Sequence, residues 1–225
     1  MLYVIATPIG NLEDITIRAL RVLRKVDIIL AEDTRQARVL LSHYRIDKVA
    51  KSFYEHNEKR VTKKLLPLLK SGKDVALISN AGTPTISDPG YHLLRTCVEE
   101  KIPFTSIPGP SAVTNAIVLS GLPSDRFLFV GFLPFKKSKR KKELEILALV
   151  EATIVIFESP HRLIATVNQL KDYFNKDKRI ALVKEMTKIY EDTIRANMND
   201  IERYIKSDCL KGEWVIVIDN RGNKS

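Results

Sequence analysis

The chain has 225 residues, 44% of them hydrophobic and 28% charged, which is enough to bury a sizeable core and ordinary for a folded globular protein. No apolar run reaches the roughly 18 residues of a membrane helix and Met1 leads straight into a strand-like segment, so no membrane association and a cytoplasmic location are expected. Against 27 Asp and Glu stand 37 Lys and Arg, a formal charge of +10 that points to an anionic partner: RNA, DNA or a polycarboxylate metabolite.

Short apolar, β-branched runs predict strands at Leu2 to Ala6, Ile28 to Ala31, Val75 to Ile78 and Phe104 to Ile107. Further strands are predicted at Phe127 to Phe132, Thr153 to Phe157, Ile180 to Val183 and Trp214 to Ile218. Helical patterns lie between many of them. In the first, Ile15, Ala19, Val22, Leu23 and Val26 share one face, with Arg18, Arg21 and Lys25 on the other. Such alternation predicts an α/β protein. Gly121 to Asp125 reads as a boundary, giving lobes at 1–120 and 121–225. Connections after the later strands are shorter and less regular, so a mixed second sheet is expected. Ser159-Pro160 predicts a side-chain N-cap followed by proline at the first position of a helix carrying Leu163, Val167, Leu170 and Phe174. Cys97 and Cys209 have no C-x-x-C partner or neighbouring His and are expected to be inert thiols.

Ligands of open α/β sheets settle outside the carboxyl ends of the strands. Here five predicted strands run into "TPIGN", "EDTR", "SNAGTP", "PGPSA" and "ESPHR". Gly lets backbone amides approach a ligand closely and Pro stiffens a loop without side-chain bulk, so these loops suit a nucleotide-like ligand recognised through backbone. Pro and Gly also make plain turns, and the site reading rests on five such loops occurring together. The nine glycines never form G-x-G, and no G-x-x-x-x-G-K-[ST] occurs, which removes the dinucleotide fingerprint and the P-loop.

The segments "LYVIATPIGNLEDITIRALRVLRKVDIILAEDTR", "FYEHNE", "ALISNAGTPTISDPGYHLLRTC", "PGPSA", "SGLPSDRFLFVGFLP", "ESPHRL", "KEMTK" and "KGEWVIVI" occur in order over almost the whole chain. Together they resemble the ribosomal RNA small subunit methyltransferase I family. The resemblance implies a two-lobed tetrapyrrole-methylase-like (class III methyltransferase) fold, a homodimer, and an S-adenosylmethionine cleft between the lobes. The implied activity is 2′-O-methylation of a cytidine ribose in small-subunit ribosomal RNA, either free or in the assembled small ribosomal subunit. It implies cofactor contacts at Thr7, Pro8, Asn80, Ala81, Gly82, Thr83, Ser111 and Ala112 from one lobe, and at Phe157, Glu158, Lys211, Gly212 and Glu213 from the other. Relatives most often carry Asp in place of Asn80 and Arg in place of Lys184.

A sulfonium methyl is already activated, so positioning should dominate, with a base drawing the proton from the 2′-hydroxyl. Candidates are Glu32, Asp33, His56, Glu158, His161 and Glu185, with Arg35 beside them; Glu32, Asp33 and Arg35 could equally form an internal ion pair and a helix N-cap. Around His56, Glu55 and Glu58 lack a fourth ligand and zinc-like spacing, so no metal is expected. The run "KKSKRKK" places Lys136, Lys137, Lys139, Arg140, Lys141 and Lys142 on an arm leading into a helix from about Ser138, suited to RNA phosphates, while Arg35, Arg162 and Lys188 would orient the target nucleotide. Phe53, Tyr54 and Phe135 are candidate stacking rings. Two rival readings are a tetrapyrrole methylase and a non-catalytic RNA-binding relative.

Overall fold

The computed structural model describes residues 1–205 and 210–222, which leaves Cys209 outside the described residues. The chain divides into two compact units, Met1–Ser111 and Ala112–Ser225.

In the first unit, β1 (Leu2–Ile5), β2 (Ile28–Ala31), β3 (Ala50–Ser52), β4 (Val75–Ile78) and β5 (Phe104–Ile107) form a wholly parallel sheet in the order β3-β2-β4-β1-β5. Four helices connect them: α1 (Ile17–Lys25), α2 (Thr34–His43), α3 (Glu58–Lys70) and α4 (Tyr91–Glu99). Central β4, with the sequence VALI, is buried on both faces, as a two-sided apolar strand must be. Its residues divide by the strand period of two. Ala76 and Ile78 pack with Ala19, Leu23 and Leu41, whereas Val75 and Leu77 pack with Phe53, Leu65, Leu93 and Cys97. Phe53 is therefore core and cannot serve as a stacking ring, and Cys97 is a buried thiol. Ile15 precedes α1; the helix instead starts after Thr16, whose side chain accepts from the Ala19 backbone N–H.

Register fixes the functional edge. Ile5 lies opposite both Ile78 and Ile107, and Ala31 opposite Ile78, so β1, β2, β4 and β5 end level and their following loops leave from one rim.

The second unit holds α5 (Ala112–Ser120), β6 (Phe127–Phe132), α6 (Lys137–Ala148), β7 (Thr153–Glu158), α7 (Leu163–Leu170), β8 (Arg179–Lys184), β9 (Asp192–Asn197) and β10 (Trp214–Asp219). The sheet order is β6-β7-β10-β8-β9, with β6 and β7 parallel and the other pairs antiparallel, the mixed sheet that the irregular connections anticipated. Trp214, Ile216 and Ile218 join Leu144, Leu147, Leu163 and Val167 in one core, while α5 packs on β10 and β8. The expected lobe boundary falls at the C-terminal end of α5, and the contact boundary at its N-terminal end.

One local expectation is corrected. The helix after "ESP" starts at Leu163, not at Pro160: residues 160–162 form a turn closed by Arg162 N and Leu163 N donating to Ser159 O, and the N-cap position falls to Arg162, which makes no side-chain cap hydrogen bond. The helix expected from about Ser138 is α6, which begins at Lys137 and carries five of the six cations of the basic run.

Candidate active-site loops

On the rim of the first sheet, "TPIGN" and "SNAGTP" are tied together. Thr7 N donates to Gly82 O and Gly82 N donates to Thr7 O, each at 2.9 Å, an isolated antiparallel bridge. Thr7 Oγ1 donates to Ser79 O at 3.2 Å and Ser79 Oγ to Gly82 O at 2.9 Å, so the bridge is buried and its side chains are used internally. The third loop joins through Thr83 Oγ1, which donates to Pro110 O at 3.4 Å. Gly82 has φ +81°, a left-handed conformation that glycine adopts at little cost. Thr85 (φ 75°) and Ser87 (φ 64°) hold the same region without being glycine, at a cost of roughly 1–2 kcal/mol each. Strain of this kind collects at ligand-binding loops. Pro8 and Thr7 also border a cavity of about 220 Å³ with Leu12, Gln36, Leu40 and Asn80.

Asn80 clamps the neighbouring "EDTR" loop. Its Oδ1 accepts from Asp33 N and its Nδ2 donates to Glu32 Oε2, both at 3.0 Å. The amide thus does what a carboxylate cannot, since Asp at this place would set a second negative charge against Glu32. Asp33 caps α2 by accepting from Arg35 N at 2.8 Å, and its carboxylate also pairs with the Arg35 guanidinium. Hydrogen bonds from Arg35 hold the Asp33 carboxyl down to about 2. The Arg35 side chain is 90% exposed. Ala81 and His56 are exposed, and the "EHNE" turn is fixed by Asn57, which accepts from Tyr54 N and donates to Ser52 O. Tyr54 stands partly exposed with its ring edge toward His56.

One acidic residue of this rim has no local sequence signal. Asp88 lies partly buried near the end of "GTPTISDPG"; burial and then the charge of Glu32 push its carboxyl up to about 6, while a Ser79 hydrogen bond pulls the other way. Only its place in a Pro- and Gly-rich strand-end loop hints at a role.

On the second sheet, Trp214 lies opposite both Glu158 and Lys184, which brings "ESPHR", "KEMTK" and "KGEW" to one edge. Glu158 is buried, with a side chain 0% exposed; Oε2 accepts from Thr166 Oγ1 at 2.6 Å, Oε1 from Ser159 N at 2.8 Å, and Arg162 Nε stands 3.3 Å away. Arg162 also donates from Nη2 to Leu133 O at 3.0 Å. Both residues are thereby committed within the protein. His161 is exposed, and Phe157 packs edge-on against Phe129 and Phe132.

Glu185, at φ 49°, faces the segment from Lys211 to Glu213. Its Oε1 accepts from Lys188 Nζ at 2.9 Å and from Glu213 N at 2.8 Å, and Lys188 also reaches Glu213 Oε2 at 3.0 Å. Burial opposes ionisation of Glu185, yet the Lys188 and Glu213 hydrogen bonds outweigh it and hold its carboxyl below the usual range. Gly212 (φ +85°) makes room: a Cβ there would fall inside van der Waals contact of the Glu185 carboxylate. Gly212→Ala is therefore expected to lower stability by about 2 kcal/mol through left-handed strain and displacement of Glu185. Urea denaturation followed by tryptophan fluorescence measures it, and an unchanged midpoint would contradict the packing described. Three buried donors in this region, Arg162 Nε, Trp214 Nε1 and Thr187 Oγ1, have no hydrogen-bond partner among the described residues. Orphan donors of this sort suit a polar ligand.

Residues 1–202 match the family described as Tetrapyrrole (Corrin/Porphyrin) Methylases, the class that the two sheets and their loops define. In fold, the chain is similar to uroporphyrin-III-C-methyltransferase from Thermus thermophilus, with a TM-score of 0.65 and 20% identity over 97% of this chain and 94% of that one. It is also similar to diphthine synthase, with a TM-score of 0.74 and 14% identity over 96% and 88%. The sequence is 46% identical to Ribosomal RNA small subunit methyltransferase I of Thermotoga maritima over 98% of each chain. It is 43% identical to the protein of the same name from Haemophilus influenzae, over 98% of this chain and 79% of that one. The chain belongs to the ribosomal RNA small subunit methyltransferase I family.

Proposed function

We propose that the chain transfers a methyl group from S-adenosylmethionine to the 2′-oxygen of a cytidine in small-subunit ribosomal RNA. The observation that carries this reading is the 46% identity to a ribosomal RNA small subunit methyltransferase along essentially the full length of both chains. Likeness to the uroporphyrin methyltransferases stays at 20% or below and supports the fold alone, so a tetrapyrrole substrate is not favoured.

The first-unit rim fits the methyl donor in its chemistry. S-adenosylmethionine, when bound, supplies a methyl group already activated by a positive sulfur. A stiff backbone cradle at Thr7 and residues 80–83 would hold it with little ordering cost, and the carboxylates of Glu32 and Asp88 favour a cation. The remaining task for the chain is to remove the ribose proton and exclude water. Asp88 suits the first role, because a carboxylate titrating near 6 is ionised at neutral pH yet basic enough to accept a proton. Glu32 is positioned for it by Asn80. Glu158 is fully engaged and Glu185 is held acidic, so both are assigned to building the second-unit edge.

The +10 charge suits an RNA substrate, free or in the assembled small subunit, and the exposed cations of α6 suit phosphates. Among the described residues no helix is long and apolar enough to cross a membrane. Work in the cytoplasm as a homodimer belongs to the same proposal, and light scattering on the purified chain tests the dimer.

Methyl-labelled S-adenosylmethionine offered together with undermethylated small subunits, naked ribosomal RNA and a tetrapyrrole precursor tests the reaction. Label in RNA at an alkali-resistant linkage is expected, since a 2′-O-methyl oxygen can no longer attack its phosphate. Label in the tetrapyrrole alone, or in no RNA, would overturn the reading.

A further inference from the structure

A groove of about 570 Å³ opens beside the N-terminal part of α6 and the outer face of α7, within the range of small-ligand sites. Phe135, Ala165 and Tyr173 give it apolar walls; Lys137, Lys141 and Gln169 give it charge and an amide. Phe135 is 83% exposed, yet its ring is held in place: the Arg162 guanidinium carbon stands 4.5 Å from the ring centroid. Arg162 is itself fixed by the buried Glu158 and by Leu133 O. The "ESPHR" motif thus props up a solvent-facing aromatic ring.

Around that ring the charges are arranged against helix stability. Cations occupy the first turns of α6, where the helix dipole disfavours them, and Lys137 and Lys141 stand a like-charged i, i+4 pair apart. Arg140 is tethered to Pro134 O and Gln169, and Lys141 pairs with Glu145 at 3.8 Å, an exposed contact of little worth. A bound anion relieves both penalties. A second copy of this cationic face would be repelled, which disfavours a symmetric protein contact through it.

We propose that this groove is a subsite for one nucleotide of single-stranded RNA, its base stacked on Phe135 and its flanking phosphates on Lys137 and Lys141. Aromatic platforms beside cationic tracks are the common solution for single strands, because every base offers a ring face. The proposal rests on the RNA reading above and makes Arg162 a positioning residue for Phe135 in place of a direct RNA contact.

The test is binding of a short fluorescein-labelled oligoribonucleotide of mixed sequence to the full chain, followed by anisotropy across a salt series. Phe135→Ala is expected to weaken binding about ten- to a hundredfold, with Phe135→Trp restoring it. Replacing Lys137 and Lys141 by Gln should reduce the slope of log affinity against log salt by about 1.4, two single-strand phosphate contacts. Binding by the unaltered chain that is insensitive to all three variants would overturn the subsite, as would absence of binding. A changed oligomeric state in Phe135→Ala with RNA affinity intact would also overturn it, and would assign the ring to a protein contact. Because anisotropy needs no turnover, Phe135-dependent binding without methyl transfer would leave the groove standing and remove only the catalytic reading.

Discussion

Glu158→Ala is expected to lower stability by about 3–5 kcal/mol, because it breaks a buried ion pair, leaves the mostly buried Arg162 guanidinium unpaired and empties the site of a fully buried side chain. At the size of this chain that corresponds to a fall of about 10 °C in the melting temperature of the second unit. The residue accepts from Thr166 and Ser159 and faces Arg162, with no exposed surface of its own. Arg162→Ala should cost nearly as much, because it strands the charge of Glu158. Thr166→Val removes a single hydrogen bond and should cost about 1–2 kcal/mol. A catalytic base would behave otherwise: its variant would lose turnover without losing stability. Urea and thermal unfolding of the three variants decide, and a Glu158→Ala chain within about 1 kcal/mol of the parent would contradict the structural role assigned here.

Asp88→Asn should act in the opposite direction. The folded state holds this carboxyl at about 6 against an ordinary value of 3.8, so between these values the folded chain binds more protons than the unfolded one. Stability contributed by Asp88 then falls as pH rises through that window, and the full penalty, about 1–2 kcal/mol for a partly exposed carboxyl screened by solvent, is present above it. Asn removes the titration. The variant should be more stable than the parent by about 1 kcal/mol at pH 7.5 and indistinguishable from it near pH 4. Its methyl transfer should fall by about a hundredfold or more, the trade expected when a costly group is kept for chemistry. Urea midpoints at the two pH values test the first part; a variant that is no more stable at pH 7.5 would show that Asp88 is not a strained acid.

Much of the architecture could be read from local pattern. LYVI, IILA and VALI are short runs with both faces apolar, the pattern of strands buried within a parallel sheet. Strands β3 and β9 could not be read this way. β3 has three residues, two of them exposed, and β9 (DTIRAN) is a polar edge strand whose identity comes from pairing with Arg179–Lys184. The start of α7 falls later than Ser159-Pro160 suggests because residues 160–162 first make a turn, and the helix begins only after Arg162. The pairing of Arg162 with Glu158, 3.3 Å apart, depends on how the chain turns after β7 and has no sequence signature. Asp88 escaped for a related reason: its burial and its proximity to Glu32 follow from β2 and β4 being neighbours in the sheet, and no window of sequence contains both.

Calorimetric titration of S-adenosylmethionine into the purified chain measures most directly whether the hydrogen-bonded loops at Thr7, Gly82 and Thr83 form a methyl-donor site. Saturable binding of about one molecule per chain is expected, weakened when Gly82 is replaced by a β-branched residue that cannot hold its left-handed backbone. No heat from a folded chain, or binding indifferent to Gly82, would contradict it.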